Sequence, residues 1–460
     1  MTNKKRVCSL TLAPVALAVS LGWAMPAHAQ SSAEAEALRQ EMAQMRAQMQ
    51  AMANKINSLE GDLASANANA EAAKVAATEA KDASKDAVKV SWKGAPQFEG
   101  DNGWKFKVRG RVQVDSGSIN APSGTGQDLG WGTEVRRARL GVEGGMPGGI
   151  GYKFEVDFAE NGVDITDALV NYKAGDVKLT IGQHNNFQSL EELTSSRHIS
   201  FMERAAFTDA FNFERRVGVS AEYHKGAVLV QTGLFSDNIA DISNTTNNSY
   251  GGDLRVVFMP KMGNTQLHLG GSLHYRDLQD AASTVRYRQR PFVHFTGTRF
   301  INTGNIPAKS ETSYGLEAAA IAGPLHFASE AYWQKVSSPG FADPTFFGGY
   351  AEIGYFLTKG DHRGYKNGTF DRVKPKNGFD KGGAGAVQVN LRYDYLDLND
   401  AGIVGGKQDG YAVSVIWTPT AYTRLMANYG RMEYTDAAIT AGADTKYGVD
   451  VFGVRAQFDF

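Results

Sequence analysis

The sequence predicts an all-β fold, a transmembrane antiparallel β-barrel of about 16 strands preceded by an α-helical coiled coil. Three observations predict it. Apolar and polar residues alternate through most of the chain from Trp104 to Phe460. No apolar run beyond the amino-terminal segment is long enough for a membrane helix. Residues 34–63 instead repeat apolar side chains at spacings of three and four.

The elements follow in chain order. Lys4, Lys5 and Arg6 are basic, residues 7–21 are largely apolar, and Ala27-His28-Ala29 offers a small-residue cleavage site before Gln30. These are the parts of a secretory signal over residues 1–29. A membrane anchor is the alternative, but the stretch carries Pro14 and falls short of the ~20 residues that span a bilayer. Cys8 is the only cysteine. Cleavage would therefore leave a chain with no disulfide and no thiolate metal site.

Residues 30–90 read as a periplasmic arm and linker. Met42, Met49, Ile56 and Leu63 occupy a positions, and Leu38, Met45, Met52 and Leu59 occupy d positions. Glu41 faces Arg46 and Lys55 faces Glu60, both attractive across a parallel coil. The seam then weakens to Ala66, Ala70 and Ala73. A trimeric coil is the expectation, with an amphipathic helix on its own barrel as the alternative.

Residues 91–460 read as the barrel. Phe106, Val108, Val112 and Val114 alternate with Lys107, Arg109, Arg111 and Gln113. At the carboxyl end Phe452, Val454, Ala456, Phe458 and Phe460 alternate with Gly453, Arg455, Gln457 and Asp459. A strand with lipid outside and water inside needs this dyad pattern. Roughly 355 residues at about 22 per strand and connection give ~16 strands, or ~18 as the near alternative, around an aqueous lumen. The 51 glycines and 10% aromatic content suit turns, kinks and interfacial girdles. A net charge of −1 argues against a nucleic-acid partner.

Strand phase points Arg109, Arg111, Arg137, Arg139, Arg216, Arg255 and Arg392 inward. Arginine presents a planar, permanently charged fork suited to phosphate and carboxylate. Glu155, Asp157, Asp167, Glu317 and Asp394 share the inward phase. Two readings therefore stand: ion pairs across the wall, or a stacked anion path.

Residues 183–216 interrupt the alternation for too long to be a turn. The run Ser189-Leu190-Glu191-Glu192-Leu193-Thr194-Ser195-Ser196-Arg197-His198-Ile199-Ser200-Phe201-Met202-Glu203-Arg204 closely resembles the constriction loop of the phosphate-selective porin O and P family. Arg136-Arg137-Ala138-Arg139-Leu140-Gly141 and Arg392-Tyr393-Asp394-Tyr395-Leu396-Asp397 are similar to further marks of it. The resemblance implies a homotrimer of 16-stranded pores in a Gram-negative outer membrane. It implies Arg197 and Ser189 at a central phosphate site, and Arg137 and Arg139 on an arginine track leading there. Asn185 departs from the pattern, standing where phosphate-selective members have a lysine.

The expected function is passive diffusion of small solutes, with anions preferred and phosphate or polyphosphate as candidate solutes. Arg197 and Arg204 on the loop support it. The alternative is a structural envelope protein whose arm contacts peptidoglycan or a periplasmic partner. No enzyme and no cofactor are expected: the histidines stand singly, with neither H-E-x-x-H nor G-x-S-x-G. Two basic stretches, residues 277–311 with Arg286, Arg288 and Arg290 and residues 361–381, read as external loops that either steer anions or bind lipopolysaccharide phosphates.

Overall fold

The computed structural model describes residues 32–83, 88–100, 103–159, 162–242, 247–280 and 283–460. The expected secretory signal and Cys8 lie outside the described residues. The chain divides into two units, before and from Asp86.

The first unit is one helix, Ser32–Ala83, of 52 residues. Alanine, glutamate, glutamine and methionine dominate it, and no proline interrupts it. Every apolar seam side chain from Leu38 to Leu63 is exposed in the single chain.

In the second unit sixteen antiparallel strands, from Lys105–Asn120 to Tyr447–Asp459, form a closed ring. The last strand pairs with the first from Asp450↔Asn120 to Asp459↔Arg111. Phe460 completes the seam: its N–H donates to Gly110 O at 3.0 Å, and the Gly110 N–H donates back at 3.1 Å. A hairpin of Val88–Trp92 and Pro96–Gly100 extends the same edge, through Gln97↔Lys107.

Alternation along each strand sends one set of side chains outward. Val112, Leu140, Phe154, Leu254, Leu269, Leu316, Leu391 and Val415 are exposed there. Two girdles border this apolar belt: Tyr172, Phe258, Phe327, Tyr355 and Phe458 near the short turns, and Tyr250, Tyr275, Tyr314, Tyr411 and Tyr429 near the long loops. Such an exterior matches a bilayer core with its interfaces.

The lumen differs from an open aqueous tube. Residues 186–214, 278–280 and 283–309, at the long-loop end, turn inward and build a packed core against the wall. Phe207, Phe211, Tyr287, Phe300 and Ile301 are buried with Met432, Tyr434, Tyr447, Val449 and Val451. The phase that puts polar groups inward near the turns thus puts apolar ones inward near the loops. Glycines make room for the loops. A Cβ on Gly348 would stand 2.5 Å from Phe207 Cβ, and one on Gly430 2.6 Å from Phe292 Cδ2.

Residues 361–381 are not external. Their connection joins Thr345–Phe356 to Ala386–Asp400 at the short-turn end, where Lys105 and Asp459 lie. They fold into the ring because buried carboxylates there need cations: Arg363 pairs with Glu352 at 2.8 Å and stacks 3.7 Å over Phe370. Arg286, Arg288 and Arg290 of the other basic stretch line cavities inside the ring, so they face the lumen instead of lipid.

Candidate functional site

Wall groups hold the inward segment 186–214 in place. The Glu330 carboxylate accepts from the N–H groups of Leu190 at 2.9 Å and Glu191 at 2.7 Å, at the start of the helix Leu190–Leu193. Asp394 accepts from Ala206 N–H at 3.0 Å, at the start of Ala206–Ala210. Carboxylates suit these ends because the first helical N–H groups have no partner within the helix. Arg424 donates to the carbonyl of Ile199 at 2.9 Å, and Arg455 joins Asp115 at 2.6 Å to Glu203 at 2.9 Å.

Beside this segment lies a cavity of about 200 Å³. Arg109, Arg111, Arg137 and Arg139 enter it from the first two strands, Lys153 and Arg215 from later ones, and Arg197 and Arg204 from the segment itself. Against these eight cations stand Glu155 and Asp167. A second cavity, of about 270 Å³, shares Arg137, Arg139, Arg204 and Arg215 and adds Arg136 and Arg290. Glu192, Glu203 and Asp209 also line the second, and the two cavities, with the four shared arginines as common walls, are together called the cationic passage.

Pairing within the passage is uneven. Arg139 bonds Asp157 at 2.7 Å, Arg215 meets Asp167 at 3.2 Å, and Arg109 is shared between Glu143 and Glu155. Arg197 lies 3.5 Å from Asp459, and Arg204 lies 3.4 Å from Glu192. Arg111 and Arg137 have only neutral partners among the described residues: Arg111 donates to Ser196 Oγ, and Arg137 to Gln113 Oε1 at 2.9 Å. The Nε of each has no hydrogen-bond partner. Two buried guanidinium groups with spare donors and no bonded carboxylate can hold an anion through charge-assisted hydrogen bonds.

The structure therefore brings Arg109, Arg111, Arg137, Arg139, Arg197 and Arg204 to one place and puts four other expected site residues elsewhere. Arg216 lines a separate cavity. Arg255 is 0% exposed and bound to Glu317 at 2.7 and 2.8 Å. Arg392 stacks over Phe201 at 4.1 Å and pairs with Glu191 at 3.2 Å. Ser189 is 0% exposed, has φ 64° and accepts from Glu192 N–H as a helix cap. Sequence reasoning left Lys153 and Arg215 out of the site and gave Arg290 to an external loop. Lys153 stood in the inward phase of its strand, but the other two flank irregular segments where phase gives no direction.

Two groups on the inward segment report the local field. Burial alone would raise the Glu203 carboxyl, but Arg136 and Arg455 outweigh it and hold the group well below the usual carboxylate range. Burial, with Arg197, Arg372, Arg424 and Arg111 nearby, pushes the His198 imidazole well below its ordinary 6.5. The unfolded chain then binds this proton at higher pH than the folded one. His198 accordingly contributes stability above pH 6.5 that is withdrawn as pH falls below it. The expected result is that His198→Gln flattens the acid side of a pH–stability profile while leaving ion selectivity from pH 8 to 6 unchanged. A selectivity change over that range would show that His198 carries charge in the passage.

A family model for the phosphate-selective porins O and P matches residues 106–460. The chain is 50% identical over 384 residues to an uncharacterized protein of Caulobacter vibrioides, covering 81% of this chain and 77% of that one. It is 26% identical over 411 residues to Porin O of Pseudomonas aeruginosa, covering 78% and 89%. Among solved structures, an anion-selective porin from Comamonas acidovorans superposes with a TM-score of 0.50 at 13% identity, over 77% of this chain and 99% of the other. With a closed sixteen-strand barrel, an apolar belt and an inward segment already established, the chain belongs to the phosphate-selective porin O and P family and forms a channel of the Gram-negative outer membrane.

Proposed function

We propose that this porin passes small anions in preference to cations and holds phosphate weakly at the cavity of Arg111, Arg137 and Arg197. The observation that carries the reading is eight cations against two carboxylates around that cavity, with Arg111 and Arg137 bonded to neutral groups. Asn185 lines the same cavity. Lysine there would add a compact positive charge, and a hydrogen bond to a charged group is worth ~1.5–3 kcal/mol. Asn185→Lys should therefore lower the phosphate concentration that halves single-channel chloride current by about tenfold. An unchanged half-blocking concentration would remove Asn185 from the account.

The same reading includes a homotrimer with its arm in the periplasm. Its support is the exposed heptad from Leu38 to Leu63 on the helix Ser32–Ala83, a stripe about 39 Å long at ~1.5 Å per residue, which parallel copies would cover. On mild oxidation Met49→Cys should give interchain disulfides. Chains that stay uncross-linked would contradict the coil. That stripe also supports a second reading, an arm that contacts peptidoglycan or a periplasmic partner. Deleting residues 31–83 would then weaken the envelope without changing conductance, and an intact envelope would count against it.

A further inference from the structure

Beside the cationic passage the barrel holds a further cavity, of about 390 Å³. We propose that it is a second ligand site, for a hydroxylated organic anion such as a sugar phosphate or a sugar acid.

Charge is the first argument. Arg216, Arg276, Arg286 and Arg288 line the cavity, against Glu214 and Glu311. Arg216 and Arg276 are bound to carboxylates: Arg216 to Glu214 at 2.8 Å, Arg276 to Asp237 at 2.8 Å and Glu311 at 3.5 Å. Arg286 and Arg288 are exposed in the cavity with no carboxylate partner among the described residues; Arg286 Nε donates to Asn302 Oδ1 at 2.9 Å. The cavity therefore has a surplus of positive charge at its loop side.

Two buried orphan atoms give the second argument. Asn186 and Arg216 are 5% and 6% exposed, and Asn186 Oδ1 and Arg216 Nη1 have no hydrogen-bond partner. Asp237 stands 3.7 Å from Arg216 Nη1, beyond hydrogen-bond reach. One orphan accepts and the other donates. Chloride satisfies only the donor, and hydrogen phosphate would have to serve both atoms from one small group, whereas a solute with an anionic group and a separate hydroxyl can reach both.

Size and shape agree. The volume falls within the ~300–1,000 Å³ of small-molecule sites, and the 200 Å³ arginine cavity falls below it. Phe211 and Phe213 form an apolar wall on which the C–H face of a sugar ring can rest. They are held by Tyr287 at 5.7 Å and Tyr332 at 4.9 Å between ring centres. Residues 185–188 separate this cavity from a neighbour of about 250 Å³: Asn186 and Gln188 face the larger, Asn185 and Phe187 the smaller. Phe213 also lines the 270 Å³ cavity of the cationic passage, so the two cavities are neighbours.

The test uses the refolded full chain in planar bilayers, with glucose 6-phosphate, inorganic phosphate and glucose as blockers. Glucose 6-phosphate should halve the chloride current at about one tenth the concentration that inorganic phosphate needs, and glucose should not block. The double variant Arg286→Ser, Arg288→Ser changes exposed residues. It should raise the glucose 6-phosphate value about tenfold and leave the inorganic phosphate value unchanged. Asn186→Ala should abolish the preference for the sugar phosphate. Block by gluconate would assign the site to hydroxylated anions generally, and its absence to organic phosphates. Equal potency of the two phosphates, block by glucose alone, or a double variant that behaves as wild type would overturn the proposal.

Discussion

Replacing Arg111 and Arg137 together by alanine should cut the chloride-over-potassium permeability ratio by tenfold or more. They are the arginines of the passage that, among the described residues, bond to no carboxylate. Each charged hydrogen bond to a passing anion is worth ~1.5–3 kcal/mol, and ~1.4 kcal/mol is a factor of ten. Paired arginines contribute less to the net field, so Arg139→Ala, which leaves Asp157 exposed to the passage, should change the ratio through the freed carboxylate instead. The measurement is reversal potential in a salt gradient, at an ionic strength near ~0.1 M, where the screening length is ~10 Å and wall charges still reach the ion. A double variant with wild-type selectivity would place the selecting charges elsewhere, with Arg286 and Arg288 the next to test.

Arg455→Ala should destabilise the barrel by about 3–5 kcal/mol, because it leaves Asp115 buried and unpaired. Arg455 and Asp115 are 1% and 0% exposed, and the guanidinium makes two bonds of 2.6 Å to the Asp115 carboxylate. It also donates to Met202 O and Glu203, so its loss should let the inward segment fluctuate and add flicker to the open-channel current. Urea unfolding in detergent reads the first effect and single-channel noise the second. Asp115→Asn in the same chain should recover part of the stability, since the uncompensated charge causes the loss. A stable, quiet Arg455→Ala channel would show that neither the ion pair nor the anchor matters.

The wall was legible in the sequence because a barrel strand meets two solvents, and that difference is written as a period of two. Val112 and Val114 outside with Arg111 and Gln113 inside is an example. Legibility ended where the inside ceased to be water. Tyr447, Val449 and Val451 face inward but are apolar, since they pack on Phe300 and its neighbours from a distant loop, and no local pattern announces that contact. Connections failed for the same reason. Residues 361–381 look like a solvated basic loop until Glu352 is placed beside Arg363. Among the inward arginines, phase alone could not separate Arg255, sealed against Glu317, from Arg137, bonded to a glutamine. That distinction depends on partners 62 and 24 residues away in sequence.

The most direct test of the account is the reversal potential of the wild-type channel in a potassium chloride gradient, before and after phosphate is added. The expected result is the sign for chloride permeation and a chloride current that phosphate reduces only weakly, because Asn185 supplies no charge to the cavity. A potential of the opposite sign, with potassium the favoured ion, would contradict it.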